Sequence, residues 1–130
     1  MKLLLDTHIL LWSLSGSEKL PTRIKNALEK KSNDLWLSPI TTWEVLMLCE
    51  KGRIRVDHKD SVKWINEILK TLPFSEAPLN HEVAIRSRQI ALPNQDPADR
   101  FLVATALVYS LKLLTVDQKI LDNDHHKLCF

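Results

Sequence analysis

Asn94-Gln95-Asp96-Pro97-Ala98-Asp99-Arg100 runs directly into Phe101-Leu102-Val103-Ala104-Thr105-Ala106-Leu107-Val108. Together they read as a helix that opens on two carboxylates and then enters a core. Asp96 is a favoured N-cap, and Pro97 fits the first helical position, where no N–H is needed. Asp99 then falls in the first turn, beside backbone N–H groups without intrahelical partners and the positive end of the helix dipole. The run behind it is apolar on every side, which predicts a buried helix. A carboxylate at the mouth of a buried helix is either a cap or a ligand holder. Of the two here, Asp96 has the spacing of the cap, and Asp99 becomes the better ligand only if other acids meet it.

Working outward, short apolar runs alternate with helical patterns. Residues 2–5 form a strand stopped by Asp6, and residues 34–38 a second strand. Residues 74–79 form a third strand, shortened by Pro78, and residues 112–117 a fourth that ends in Asp117. Between them, helices are expected over 7–14, 18–31, 39–51, 60–72 and 81–92. Pro21 fits only near the start of the second, Gly52 stops the third, and Asn80 caps the fifth. Asp117 can cap a turn over 118–121, and residues 127–130 can add an edge strand. This alternation predicts a three-layer α/β/α sandwich around a central, mainly parallel sheet of four or five short strands.

In such sheets ligands bind beyond the carboxyl ends of the strands, near the switch in strand order. Asp6 and Asp117 each follow a strand, Asp99 opens the helix before the fourth strand, and Glu44 lies within two turns of the helix after the second. If strands one, two and four are neighbours, the four acids meet in one cleft. Each aspartate alone reads equally well as a cap. Glu44, on a mostly apolar helix, needs a partner or an ion. Carboxylates confined together resist joint ionisation without a counter-charge. Oxygen-only ligands suit Mg²⁺ or Mn²⁺, and the lack of clustered His or Cys argues against zinc or copper. Such a site suits hydrolysis of a nucleic-acid backbone.

The bulk numbers agree with one soluble domain over residues 1–130. The chain is 45% apolar and 26% charged with a net charge of +2, so no strong basic field advertises nucleic acid. Two cysteines without metal spacing read as reduced thiols, which favours the cytoplasm. Neither a signal peptide nor a membrane span is expected. With only two glycines, a glycine-rich phosphate loop is excluded.

Four pieces carry a resemblance: Leu3-Leu4-Leu5-Asp6-Thr7-His8, Ser38-Pro39-Ile40-Thr41-Thr42-Trp43-Glu44, Asp96-Pro97-Ala98-Asp99-Arg100 and Leu113-Leu114-Thr115-Val116-Asp117. In this order, across nearly the whole chain, they resemble a PIN-domain ribonuclease of the VapC toxin type. The resemblance implies that Asp6, Glu44, Asp99 and Asp117 hold Mg²⁺ or Mn²⁺ and activate the attacking water. Thr7 and Thr115 match polar positions lining that site, and Arg100 matches the arginine after the third acid. An RNA substrate, a homodimer and a small antitoxin (VapB-like) whose tail occupies the active-site groove are implied as well. Asn94 and Ala98 depart from the family pattern, where His and a large apolar residue are usual, and bear on substrate positioning.

Three other readings compete. A receiver-like domain wants paired acids after the first strand, whereas this chain has Asp6 alone. A haloacid-dehalogenase-type phosphatase wants Asp-x-Asp, and the triplet here is Asp6-Thr7-His8. An inert binding module would keep only the caps. Basic residues cluster at 19–31, 51–55 and 86–88, where solvated helix faces are the ordinary explanation. Trp12, Trp36, Trp43 and Trp64 can stack on bases only if exposed, and spacing places Trp36 and Trp43 in the core.

Overall fold

A computed structural model describes residues 1–56, 59–93 and 95–130. Four parallel strands, β1 (Lys2–Leu5), β2 (Asp34–Leu37), β3 (Phe74–Glu76) and β4 (Lys112–Leu114), form a sheet in the order β3-β2-β1-β4. Strands one, two and four are therefore neighbours, which is the condition for the acids to meet. Leu4 lies opposite Trp36 on one side and Leu113 on the other. The chain builds outward from β1 to β2 and β3, then crosses back to lay β4 on the free side of β1. The switch in strand order thus lies between β1 and β4.

Alternation along β1 divides the core into two layers. Leu3 and Leu5 pack with Ile9 and Leu10 of α1 (Thr7–Ser15), Ile24 of α2 (Thr22–Glu29), Val45 of α3 (Pro39–Glu50) and Ile65 of α4 (Ser61–Thr71). Leu4 faces the other way, onto Leu102 and Ala106 of α6 (Pro97–Tyr109) and Ile120 of α7 (Gln118–Leu121). The remaining helix, α5 (His81–Gln89), packs against α6. At about 25 cal/mol per Å² of apolar surface, each fully buried leucine contributes roughly 1.5–3 kcal/mol.

Several expected boundaries shift for local reasons. Helix α2 begins only at Thr22, because Pro21 is its N-cap and disfavours helical backbone at the residue before it. Helix α5 ends at Gln89 rather than near residue 92, with Ile90 already extended. Residues 127–130 contribute a single parallel bridge, Leu113 to Cys129, rather than a strand. Trp43, expected in the core, is 56% exposed. The buried line of α3 is Thr41 and Val45, and at 100° per residue Trp43 points away from it. Both cysteines are free and half-buried, and burial pushes the Cys129 thiol up to about 12. Among the described residues no helix is long and apolar enough to cross a membrane.

Candidate metal centre

Backbone geometry delivers the acids to one place. Leaving β1, the chain turns at Asp6, whose Oδ1 accepts from the Thr7 N–H at 2.6 Å and caps α1. Asp117 follows β4 and caps α7, its Oδ1 accepting from the Lys119 N–H at 2.9 Å. Asp96 caps α6 through a 3.0 Å bond from the Ala98 N–H, and Asp99 sits in the same first turn. Ser38 and Pro39 start α3 after β2, which carries Glu44 alongside. Asp6, Glu44, Asp96, Asp99 and Asp117 together line a cleft of about 330 Å³, with His8, Trp12 and Val116 completing its wall.

Asp6 is 8% exposed and both of its oxygens are engaged. Thr115 Oγ1 donates to Asp6 Oδ2 at 2.6 Å and accepts from the Asp117 N–H at 3.0 Å. One hydroxyl therefore ties the ends of β1 and β4 together through the acid. Thr7 is completely buried, and its Oγ1 makes no hydrogen bond. It lies close enough to Glu44 to draw that carboxyl's pKa down, but without hydrogen-bond geometry. A buried hydroxyl without a partner is a cost the fold ordinarily avoids, and it marks a place where a ligand shell can supply the missing contact.

Charge is the dominant property of the cleft. Burial raises the pKa of Asp6, and neighbouring Asp117 raises it further, against the hydrogen bonds from Thr115 and Thr7. Burial likewise raises Glu44, as do Asp6 and Asp96. Asp99 feels burial and then the charges of Asp96, Asp117, Asp6 and Glu44, and is pushed up to about 7. Among the described residues no three His, Cys, Asp or Glu side chains yet stand as a formed metal cage. Mutual repulsion among neighbouring carboxylates favours standing apart in this way. An all-oxygen donor set, mutual repulsion and the orphaned Thr7 hydroxyl nevertheless fit a hard divalent cation.

Arg100 lies elsewhere. It is 6% exposed and donates to the carbonyls of Ser87 (2.9 Å), Leu92 (2.6 Å) and Ile90 (3.3 Å). These are carbonyls at and beyond the end of α5, so the guanidinium closes that helix. Ala98 is buried at the start of α6, and Asn94 lies outside the described residues. Sequence reasoning overlooked three cleft-lining roles. Asp96 walls the cleft as well as capping, and His8 and Trp12 join the acids. The signal for the last two was available, since His8 and Trp12 are four residues apart on the helix that Asp6 starts.

An α/β fold with an acidic, oxygen-lined cleft at its topological switch point is the class these features define. Residues 3–125 match the PIN domain family, and the chain belongs to it. It is a homologue of VapC-type toxins, being 25% identical over 125 residues to Ribonuclease VapC22 of Mycobacterium tuberculosis, with 94% of this chain and 92% of that protein covered. Its fold is similar to that in the crystal structure of VapBC2 from Rickettsia felis bound to a promoter DNA fragment. There the TM-score is 0.73 at 16% identity, covering 100% of this chain and 98% of the other. A toxin–antitoxin complex from Klebsiella pneumoniae matches with a TM-score of 0.64 and 26% identity, over 90% of this chain and 88% of that one. Family membership answers the receiver-like and phosphatase-like alternatives.

Proposed function

We propose that this chain, acting as one domain, is a metal-dependent endoribonuclease and the toxin of a VapBC-type toxin–antitoxin pair. The observation that carries the reading is the convergence of five carboxylates on one cleft, with Asp99 pushed up to about 7 by burial and then by its neighbours' charges. Asp6, Glu44, Asp99 and Asp117 are the side chains that would hold Mg²⁺ or Mn²⁺. The ion would polarise a phosphodiester oxygen and lower the pKa of the attacking water.

The chain's own residues supply the rest. Thr115 holds Asp6 in one orientation and brings the Asp117 backbone against it. Thr7 offers its buried hydroxyl beside Glu44. Asp96 fixes the first turn of α6, so Asp99 is presented from a rigid helix end. Arg100 supports the site indirectly by tying α6 to the end of α5. Similarity to toxin–antitoxin complexes supports an antitoxin partner, with homodimerisation and a cytoplasmic place of action as parts of the same reading.

Purified protein incubated with total RNA or tRNA and Mn²⁺ should cleave, and chelator should stop it. Asp6→Asn and Asp99→Asn should each lower the rate at least about 100-fold, since even partners that only support a metal ligand command 10–100-fold. Circular dichroism must show both variants folded, because losing a cap alone costs about 0.5–2 kcal/mol. Cleavage that survives both substitutions would sink the assignment of this site.

A further inference from the structure

Among the described residues that wall the acid cleft, a single side chain can carry positive charge. Asp6, Glu44, Asp96, Asp99 and Asp117 are acids, Trp12 and Val116 are uncharged, and the remaining wall residue is His8. Arg100 is turned away, onto the carbonyls at the end of α5. His8 is exposed in the first turn of α1, two residues after the Asp6 that caps that helix. Its ring lies beside the indole of Trp12, with centroids 5.7 Å apart and planes inclined at 56°. Among the described residues neither ring nitrogen has a hydrogen-bond partner. Burial raises the Asp6 and Glu44 carboxyls, and the charge His8 can carry draws both back down. The ring is therefore within electrostatic reach of acids from two different elements.

We propose that His8 is a further catalytic residue, donating a ring N–H to a non-bridging oxygen of the phosphodiester held at the acids. The proposal rests on the ribonuclease reading and gives the phosphate a partner on the protein itself. A phosphodiester is an anion, and in a cleft walled by five carboxylates it meets repulsion from each of them. The wall has to offer a donor somewhere. Trp12 carries an indole N–H, but it is half-buried and packs on the core, which leaves His8 as the exposed donor. The contact does not wait on titration, because the neutral ring carries one N–H and the charged ring two. Placement at the start of α1 works in the same direction, since the helix dipole is positive there. During displacement at phosphorus, charge is spread over the non-bridging oxygens, and a donor already aimed at one of them needs no reorganisation. Removing it should therefore fall more on kcat than on KM.

Wild type, His8→Phe, His8→Asn and His8→Gln are assayed on an oligoribonucleotide spanning a bond that the wild type cuts in total RNA. Because His8 is exposed, each variant should keep the wild-type Tm without metal. His8→Phe keeps an aromatic ring beside Trp12 but has no N–H. It should lower kcat between about 10-fold and 150-fold, the worth of one hydrogen bond to a charged group. One of the two amides, whose N–H lies near the place of a ring nitrogen, should recover most of the loss. The rise in Tm on adding Mn²⁺ should be the same in all four proteins. Sulfur accepts hydrogen bonds poorly, so one phosphorothioate diastereomer at the cut bond should slow the wild type and leave His8→Phe no slower than on oxygen. Such non-additivity marks direct contact, which a merely structural role would not produce. His8→Phe protein that cleaves like the wild type overturns the proposal. So does a Mn²⁺-induced rise in Tm that shrinks along with kcat, which would make His8 part of the ion's own site. Binding is read separately, by nitrogen NMR of the His8 ring in Asp99→Asn protein with Mg²⁺. The ring nitrogens should shift on adding single-stranded oligouridylate and move far less with its uncharged methylphosphonate analogue. Absence of that shift overturns the contact whether or not RNA is cut. A shift in a protein whose wild type never cleaves RNA would instead overturn the ribonuclease reading and leave the phosphate contact standing.

Discussion

Asp99 and Arg100 are adjacent in sequence, yet the first turn of α6 sends them into two unlike regions. On one side is the cleft, where Asp99 faces four other carboxylates and its pKa rises to about 7. On the other is the seam between α5 and α6, where a buried guanidinium meets the carbonyls of Ser87, Ile90 and Leu92. The seam is a site of satisfied charge, with donors of fixed geometry matched to acceptors that would otherwise be left over at a helix end. The cleft is a site of opposed charge, held together by the fold around it. A single seven-residue motif thus stores repulsion through Asp99 and contributes stability through Arg100, the next residue. Substitutions at the two positions should therefore act on stability with opposite signs.

The largest effect belongs to the seam. Arg100→Met keeps much of the buried stem but removes the donors to three carbonyls. Each buried polar group left without its partner costs about 1–3 kcal/mol. A loss of about 3 kcal/mol or more is expected in urea denaturation, with amides at the end of α5 exchanging faster than those of β1. Arg100→Met protein that matches the wild type in urea would remove the seam as a source of stability.

Thr115→Val is a smaller and different test, because its hydroxyl serves the cleft. The substitution withdraws the 2.6 Å bond to Asp6 Oδ2 and the acceptor for the Asp117 N–H. Since that bond holds the Asp6 pKa down, the Asp6 carboxyl should titrate at higher pH in the variant, as followed by carbon NMR. A stability loss of about 1–2 kcal/mol should accompany it, and Thr115→Ser should restore both. An Asp6 titration that moves downward in Thr115→Val would contradict the role given to the hydroxyl.

The difference between cleft and seam also explains what could be read from the chain alone. The strands announced themselves because Leu3-Leu4-Leu5 and Leu113-Leu114 are short apolar runs stopped by polar residues, as buried parallel strands require. The acids were legible because caps are local: Asp6, Asp96 and Asp117 each bond to an N–H within two residues. Less legible was that capping and facing the cleft are compatible, since a carboxylate has about four acceptor sites and a cap uses one. Asp96 shows this most clearly. The role of Arg100 could not be read, because its partners lie eight to thirteen residues away and are backbone oxygens that carry no residue identity. The exposure of Trp43 was hidden for a related reason. Hydrophobicity predicts burial on average, while the side of α3 that meets the sheet is set by tertiary packing.

The smallest expected effect is the most direct test of opposed charge. In the metal-free protein the Asp99 pKa is raised from 3.8 to about 7, so the folded state binds this proton more tightly than the unfolded chain does. Linkage then makes stability fall as pH rises from about 4 to about 7, and remain flat beyond. Asparagine resembles the protonated acid and cannot ionise, so Asp99→Asn lacks this contribution to the slope. The two proteins should unfold together near pH 4 in chelator and diverge by pH 8, with the variant more stable. Because Asp99 is only half-buried, solvent screening reduces the gap to on the order of 1 kcal/mol, or roughly 3–5 °C in Tm. Mn²⁺ should reverse the order, since about 100-fold excess over Kd adds about 2.7 kcal/mol to a protein that binds it. A variant that is less stable than wild type at pH 8 in chelator would mean that Asp99 is held by favourable contacts, as Arg100 is. The cleft and the seam would then be the same kind of region.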